Sequence, residues 1–245
     1  MPDAKITRRA DRPTEGFTTA HLPAHPDRPV RLFVPSDYQP KYAYPLVVLL
    51  HGNGGDEDTA ARLVPQLSRR NYIAACPRGG KVLGPGYTGR PGFGWDETDS
   101  RLEQYLLGIH SHVRRAFHVH SERGYLVGVG EGAAVAYHLG LAVSDRLAGI
   151  VALNGSMPDS VVRPLARSNS ARGLRVFIGH GEHNPVVPVS TARKAARSLN
   201  SAGADVRFQT YSTLHRIDDA MLRDVNRWIM GNVSPKAESL PNKNG

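Results

Sequence analysis

Short apolar runs alternate along this chain with longer segments in which apolar residues recur at helical spacing. Several runs are apolar throughout, which is typical of strands covered on both faces of a parallel sheet. The runs predict eight strands, at residues 17–22, 30–34, 46–51, 72–76, 125–129, 149–153, 174–179 and 206–211. The intervening segments predict five helices, at residues 59–69, 99–117, 131–142, 191–202 and 217–230.

This alternation predicts an α/β fold with a central, mostly parallel β-sheet and helices on both faces. No helix separates the first two strands, so we expect antiparallel edge strands at the N-terminus. Residues 80–95 are rich in glycine and proline and are predicted to form one long irregular loop. We expect a single domain over residues 17–232, between polar, disordered tails at residues 1–16 and 233–245.

Composition narrows the class of protein. The chain has 245 residues, of which 40% are hydrophobic, enough for a sizeable core. The single cysteine, Cys76, excludes an internal disulfide and fits a reducing compartment. The N-terminal residues lack the apolar segment of a secretory signal, and no apolar run is long enough to cross a bilayer. We therefore expect a cytoplasmic protein that does not span a membrane; its composition is also compatible with a homodimer.

The formal net charge is +9, and the basic residues are spread over several predicted elements. A positive surface attracts nucleic acid or anionic lipid. No nucleic-acid motif accompanies the charge, however, so an arginine-rich surface is the simpler interpretation. Neither His110 and His112 nor His118 and His120 have the i, i+4 helical spacing of the zinc-binding motif H-E-x-x-H, so we expect no metal and no cofactor.

The most informative segment is the glycine-dense turn Gly128-Val-Gly-Glu-Gly132, between a predicted strand and a predicted helix. That context is typical of the nucleophile elbow G-x-S-x-G, in which a serine hydroxyl stands on a sharp, strained turn. The outer glycines are present as Gly128 and Gly132. The nucleophile position is Gly130, which has no side chain to attack a carbonyl carbon. The turn therefore predicts a hydrolase scaffold that lacks its nucleophile.

Two later loops carry the other positions of a catalytic triad, in the chain order nucleophile, acid, base. Asn184 lies after the strand at 174–179, where the acid is expected, and an amide cannot supply the charge that stabilises an imidazolium. His215 follows the last predicted strand, where the base is expected. Earlier in the chain, His51-Gly52-Asn53 follows the strand at 46–51, where a loop lends a backbone N–H to an oxyanion hole.

These motifs resemble those of the phospholipase/carboxylesterase family of α/β-hydrolases, which includes the acyl-protein thioesterases. The resemblance covers about residues 46–228. It rests on six segments: His51-Gly52, Pro77-Arg78-Gly79, Gly94-Trp95, the turn at 128–132, residues 180–188, and His215.

The resemblance implies an α/β-hydrolase fold with a degenerate catalytic triad. In it Gly130 replaces the nucleophile, Asn184 replaces the acid, and His215 keeps the base. The oxyanion donors that it implies are the backbone N–H groups of Asn53 and Glu131. The implied pocket residues are His51, Gly52 and Trp95.

Three functions are compatible with these residues. The first is a catalytically impaired pseudo-esterase that keeps a pocket for a small ester, acyl or lipid-like ligand. The second is an active ester or thioester hydrolase in which His215 activates a water molecule, assisted by Glu131 or Glu182. The third is a dinucleotide-binding module, because Gly128-x-Gly130-x-x-Ala133 matches the G-x-G-x-x-A fingerprint. That fingerprint expects an acidic residue after the next strand, where this chain has Asn154.

Overall fold

A computed structural model describes residues 16–85, 91–96, 101–165 and 171–233. Within these ranges the strands are β1 (Gly16–Leu22), β2 (His25–Val34), β3 (Tyr44–Leu50), β4 (Ile73–Pro77), β5 (Lys81–Pro85), β6 (Pro91–Gly94), β7 (Val119–Val129), β8 (Gly149–Leu153), β9 (Arg175–Gly181) and β10 (Asp205–Tyr211). Eight of them form one sheet in the order β1-β2-β4-β3-β7-β8-β9-β10. In this sheet the neighbouring strands β4, β3, β7, β8, β9 and β10 all run parallel to one another, whereas β2 is antiparallel to both β1 and β4. The predicted parallel sheet and its antiparallel N-terminal edge are confirmed.

The described residues also form seven α-helices: α1 (Glu57–Ala61), α2 (Val64–Leu67), α3 (Leu102–Ala116), α4 (Glu131–Ala142), α5 (Asp159–Leu165), α6 (Val189–Ser201) and α7 (Asp219–Val233). Successive side chains of a strand point to opposite faces, and β3 shows the result. Its Leu46, Val48 and Leu50 pack into one apolar cluster with α3, α4, α5 and α6. Its Val47 and Leu49 pack into a second cluster with α1, α2 and α7. Helices therefore cover both faces of the sheet, as the continuous apolar runs predicted.

Two predicted elements differ from the structure. The helix expected at 59–69 is divided into α1 and α2. Pro65, near the start of α2, has no N–H to donate to the carbonyl of Ala61, so α1 cannot continue through it. The helix expected at 99–117 begins at Leu102, because Arg101 only flanks it and residues 97–100 lie outside the described ranges. Helix α5 was not predicted.

The loop predicted at 80–95 is instead a β-hairpin, in which β5 and β6 pair antiparallel; residues 86–90 lie outside the described ranges. Its backbone attaches to the loop after β3, because Phe93 N–H donates to Gly55 O over 2.8 Å and Gly54 N–H donates to Phe93 O over 3.0 Å. A Cβ at Gly92 would lie 2.7 Å from Gly54 O, so the glycine permits this close approach.

The predicted tails fall almost entirely outside the described residues. At their inner boundaries Gly16 begins β1 and Val233 ends α7, so ordered structure reaches one residue further at each end than predicted. The single-domain boundaries at 17 and 232 remain a prediction. Among the described helices, none has both the length and the apolar character that a bilayer crossing requires.

Candidate active site

The turn between β7 and α4 carries Gly130 in an unusual backbone conformation. Its φ of 55° and ψ of −115° lie where side-chain-bearing residues are strained. Gly130 N–H donates to Leu153 O at the end of β8, over 2.8 Å, which fixes the turn to the neighbouring strand. The sharp elbow expected from the sequence is therefore present, although its central residue is glycine.

His215 lies in the loop after β10, and its imidazole is oriented by Asn184 from the loop after β9. The Nδ1–H of His215 donates to Asn184 Oδ1 over 3.0 Å. The same oxygen accepts the backbone N–H groups of Val186 and Val187, each over 3.0 Å. Because these two donors fix the side-chain oxygen in place, His215 carries its proton on Nδ1 and leaves Nε2 as an acceptor.

The structure brings Gly130 and His215 together. A Cβ built on Gly130 would lie 3.7 Å from His215 Nε2 and 3.7 Å from Gly52 Cα, both ordinary van der Waals distances. Parallel strands end at the same edge of a sheet, which is why residues after β7, β9 and β10 meet here. A hydroxyl on that Cβ would stand within hydrogen-bond reach of Nε2, as a nucleophile and base require.

Some of the other implied site residues line the cavity in front of the elbow, and others are buried beneath its surface. His51 and Trp95 are both buried, and their rings pack against each other at a tilt of 34° with centroids 4.9 Å apart. Trp95 Nε1–H donates to His51 O over 2.9 Å. Glu131 Oε2 accepts Trp95 N–H over 3.1 Å, which ties the elbow to the hairpin. Within the described residues, no acceptor binds the backbone N–H of Asn53 or of Glu131.

A cavity of about 740 Å³ lies in front of the elbow. Gly52 lines it, together with Asn53, Gly130, Glu131 and His215, whereas His51 and Trp95 do not reach its surface. Its remaining walls are mainly apolar and include Leu63, Val129, Ala134, Val187 and Ile217. The predicted residues thus converge on a pocket large enough for a small organic ligand.

The two carboxylates considered as assistants of His215, Glu131 and Glu182, both accept hydrogen bonds from other residues, Glu131 from Trp95 N–H. Glu182 Oε1 accepts a hydrogen bond from the Thr210 hydroxyl over 2.7 Å at the exposed side of the loop. Asp218 Oδ1 accepts Met221 N–H over 2.9 Å at the start of α7. The described residues contain no group of three or more histidine, cysteine or acidic side chains that could hold a metal ion.

Sequence reasoning gave little weight to two buried polar residues of the site. Asn154, at the end of β8, accepts Gly181 N–H and donates to Arg216 O, so it links three loops around the cavity. His180, near the end of β9, donates from Nε2 to Val187 O over 2.8 Å. The available signal was a polar residue at the end of an otherwise apolar strand. Asn154 has an amide where the dinucleotide fingerprint expects a carboxylate, and that amide is already engaged in these bonds, so the acidic partner of a ribose is missing.

Burial lowers the pKa values of the site histidines. Desolvation is the main cause for His51, His180 and His215. His51 is held neutral by its surroundings, because its Nδ1–H donates to Gly52 O and its Nε2 accepts Gly79 N–H. All three imidazoles are therefore neutral near pH 7.

We expect the stability of the fold to decrease below about pH 6.5, the ordinary histidine pKa. The unfolded chain binds protons there that the buried imidazoles of His51 and His180 do not bind. The free energy of unfolding therefore falls by up to about 1.4 kcal/mol per pH unit for each of these two histidines, and by less for His215, which is only partly buried. Urea unfolding between pH 8 and 5.5 measures this slope. His51→Gln removes one of the groups and should make the slope shallower; an unchanged slope would contradict the assignment.

Comparison with known proteins bears on this geometry. The model of the phospholipase/carboxylesterase family matches residues 36–232, most of the chain. The chain belongs to this family. As a phospholipase/carboxylesterase-family protein, it shares the α/β-hydrolase fold, with the elbow after the central strand β7 and the other two loops after β9 and β10.

Individual relatives agree with this assignment. Acyl-protein thioesterase 1 of Gibberella zeae is 29% identical over 121 residues, which are 47% of this chain and 50% of that protein. The match thus spans half the length of this curated relative. Among solved structures, esterase PE8 has a TM-score of 0.65 and 22% identity over 82% of this chain and 96% of its own. A ferulic acid esterase has a TM-score of 0.70 and 15% identity over 89% and 98%. At these identities the structural likeness shows the fold.

Proposed function

We propose that this protein is a pseudo-esterase: it binds a small neutral ester, thioester or acyl group and does not hydrolyse it by the family's serine mechanism. The observation that carries the proposal is the relation of Gly130 to His215. The contacts of His215, Asn184 and the strained turn support a base, its orienting amide and an elbow, but the attacking hydroxyl is missing from the sequence. Losing the nucleophile of a serine hydrolase costs about 10⁶ in kcat, or roughly 8 kcal/mol of barrier.

The retained parts of the site support ligand binding. The backbone N–H groups of Asn53 and Glu131 are the proposed oxyanion donors, and a backbone N–H can also donate a hydrogen bond to the carbonyl oxygen of a bound ester. The apolar walls fit an alkyl or aryl group. The residues at the acid and base positions of the triad are both neutral. Asn184 is an amide, and burial lowers the pKa of His215. The cavity lining also carries one acidic and one basic residue, Glu131 and Arg216, whose formal charges cancel. A neutral carbonyl compound therefore suits the cavity better than a strongly charged ligand.

A second candidate is hydrolysis by water that His215 activates. It is favoured by the orientation of the imidazole, whose acceptor Nε2 faces the open side of Gly130. A general base contributes typically about 10²–10⁴-fold to a rate, far less than a complete triad. The expected activity is therefore weak but dependent on His215.

Hydrolysis of p-nitrophenyl butyrate distinguishes the two candidates. For the pseudo-esterase, we expect the native protein and His215→Ala to match the uncatalysed rate. A rate that is present in the native protein and absent from His215→Ala would favour activated water instead.

Binding of the same ester tests the pocket. We expect p-nitrophenyl butyrate to raise the melting temperature of the native protein in a saturable manner. Ile217→Trp, which adds an indole to the cavity wall, should abolish this shift. Val82→Trp is the matched control, because Val82 is exposed and is not one of the cavity-lining residues. No shift with the native protein would contradict the proposed ligand class.

A further inference from the structure

The side-chain amide of Asn154 has one fixed orientation. Asn154 is fully buried and has a left-handed φ of 53°. Its Oδ1 accepts Gly181 N–H over 2.8 Å, and its Nδ2 donates to Arg216 O over 3.0 Å. Both partners are backbone groups, so turning the amide over would place donor against donor and acceptor against acceptor. Asn154 Oδ1 is therefore an acceptor in a fixed position.

The amide of Asn184 is fixed in the same way. Its Oδ1 accepts the backbone N–H groups of Val186 and Val187 as well as the Nδ1–H of His215. Its Nδ2 must then point in the other direction, where it donates to Asn154 Oδ1 over 3.4 Å. The two asparagines form one chain of hydrogen bonds that runs from the end of β8 to the imidazole.

We propose that Asn154 is a positioning residue that selects an amide at position 184, because its fixed Oδ1 requires a hydrogen-bond donor there. A carboxylate at position 184 would place an oxygen where Asn184 Nδ2 now stands. That oxygen and Asn154 Oδ1 would then be two hydrogen-bond acceptors facing each other, with no proton between them. His180 Nε2–H lies 3.4 Å from Asn184 Nδ2, but it already donates to Val187 O over 2.8 Å. Only a protonated carboxyl group would satisfy Asn154, and such a group carries no charge to stabilise an imidazolium.

The inference rests on the proposed function only in treating His215 as the base of the site. It changes the meaning of Asn184. An asparagine can orient a catalytic histidine, as it does in papain-like proteases. Asn184 is then the residue that this hydrogen-bond network requires, with Asn154 as its partner.

Four chains test the pair: the native protein, Asn184→Asp, Asn154→Gly and the double variant. Glycine suits the left-handed backbone of position 154, so this change deletes the amide without adding backbone strain. We expect Asn184→Asp to increase the equilibrium constant for urea unfolding by about tenfold when Asn154 is present, and by less than about threefold when residue 154 is glycine. An equal increase in both backgrounds would overturn the proposal.

A kinetic measurement separates positioning from packing. In the Gly130→Ser background, Asn184→Asp should raise kcat for p-nitrophenyl acetate only when Asn154→Gly is also present, with KM unchanged. A kcat gain that is independent of residue 154 would overturn the proposal. If Gly130→Ser is inactive in every combination, the proposed role of His215 as the base of the site fails, while the unfolding measurements still decide the role of Asn154.

Discussion

Replacing Gly130 with serine is expected to raise the rate of p-nitrophenyl ester hydrolysis by on the order of 10²-fold or more. In a well-studied serine protease the nucleophile is worth about 10⁶ in kcat and the acid alone about 10⁴. The variant would regain the nucleophile but would still have an amide in place of the acid. The expected gain in rate is therefore at least the nucleophile's factor divided by the acid's factor, about 10²-fold. The geometry supports this, because a Cβ at position 130 would stand 3.7 Å from His215 Nε2 without a close contact among the described residues.

The same substitution should destabilise the protein. At a φ of 55° and a ψ of −115°, any side chain at position 130 adds strain of about 1–3 kcal/mol. Gly130→Ala is the matched control, since it adds the same Cβ and the same strain without a hydroxyl. We expect both variants to melt at a similarly lowered temperature and only the serine variant to hydrolyse the ester. Equal activity of the two variants, or none in either, would contradict the intact elbow.

Gly128→Ala is expected to destabilise the fold by about 3 kcal/mol or more, the largest stability effect that we predict. A Cβ at Gly128 would overlap the Gly132 carbonyl and lie 2.5 Å from Ala133 Cα. These are backbone atoms of the first turn of α4 and cannot move aside without shifting the helix. For a domain of this size the melting temperature should fall by roughly 10 °C.

Gly84→Ala is the control for this variant. Gly84 is exposed in β5, and no atom of the described residues would lie within 4 Å of the new Cβ. We expect its stability to change by no more than about 0.5 kcal/mol. A Gly128→Ala protein that melts within about 2 °C of the native protein would show that the elbow is less tightly packed than the structure indicates.

The two outer glycines of the elbow have a structural reason that does not involve catalysis. A Cβ at Gly132 would lie 2.6 Å from the carbonyl oxygens of Leu50 and His51, and Gly128 is restricted in the same way by α4. Their presence therefore follows from the packing of the turn. Among the described residues, a Cβ at Gly130 would meet no such close neighbour and would add only backbone strain, which the serine of a nucleophile elbow also bears. Glycine at position 130 is therefore the departure that bears on function.

The sequence by itself determined the sheet, its antiparallel edge and the positions of most strands. Strands such as Tyr44–Leu50 are buried on both faces of the sheet. Such a strand is apolar throughout its short length, and this pattern is visible in the sequence. The three positions that the sequence assigned to a triad also lie close together, because each follows a strand whose end faces the same edge of the sheet. The motifs after the strands, and their order along the chain, were therefore enough to predict the candidate residues Gly130, Asn184 and His215.

The tertiary structure alone decided how these residues are oriented and which others serve them. The hairpin of β5 and β6 was predicted as a loop, because glycines are a sequence signal for turns. In the structure, glycine at position 92 instead allows the hairpin to pass close to the backbone of Gly54. The tautomer of His215 follows from two backbone N–H groups on Asn184, and the amide at 184 meets Asn154 from a strand 30 residues away in the chain. Hydrogen-bond direction depends on positions in space, and spacing along the chain does not encode it.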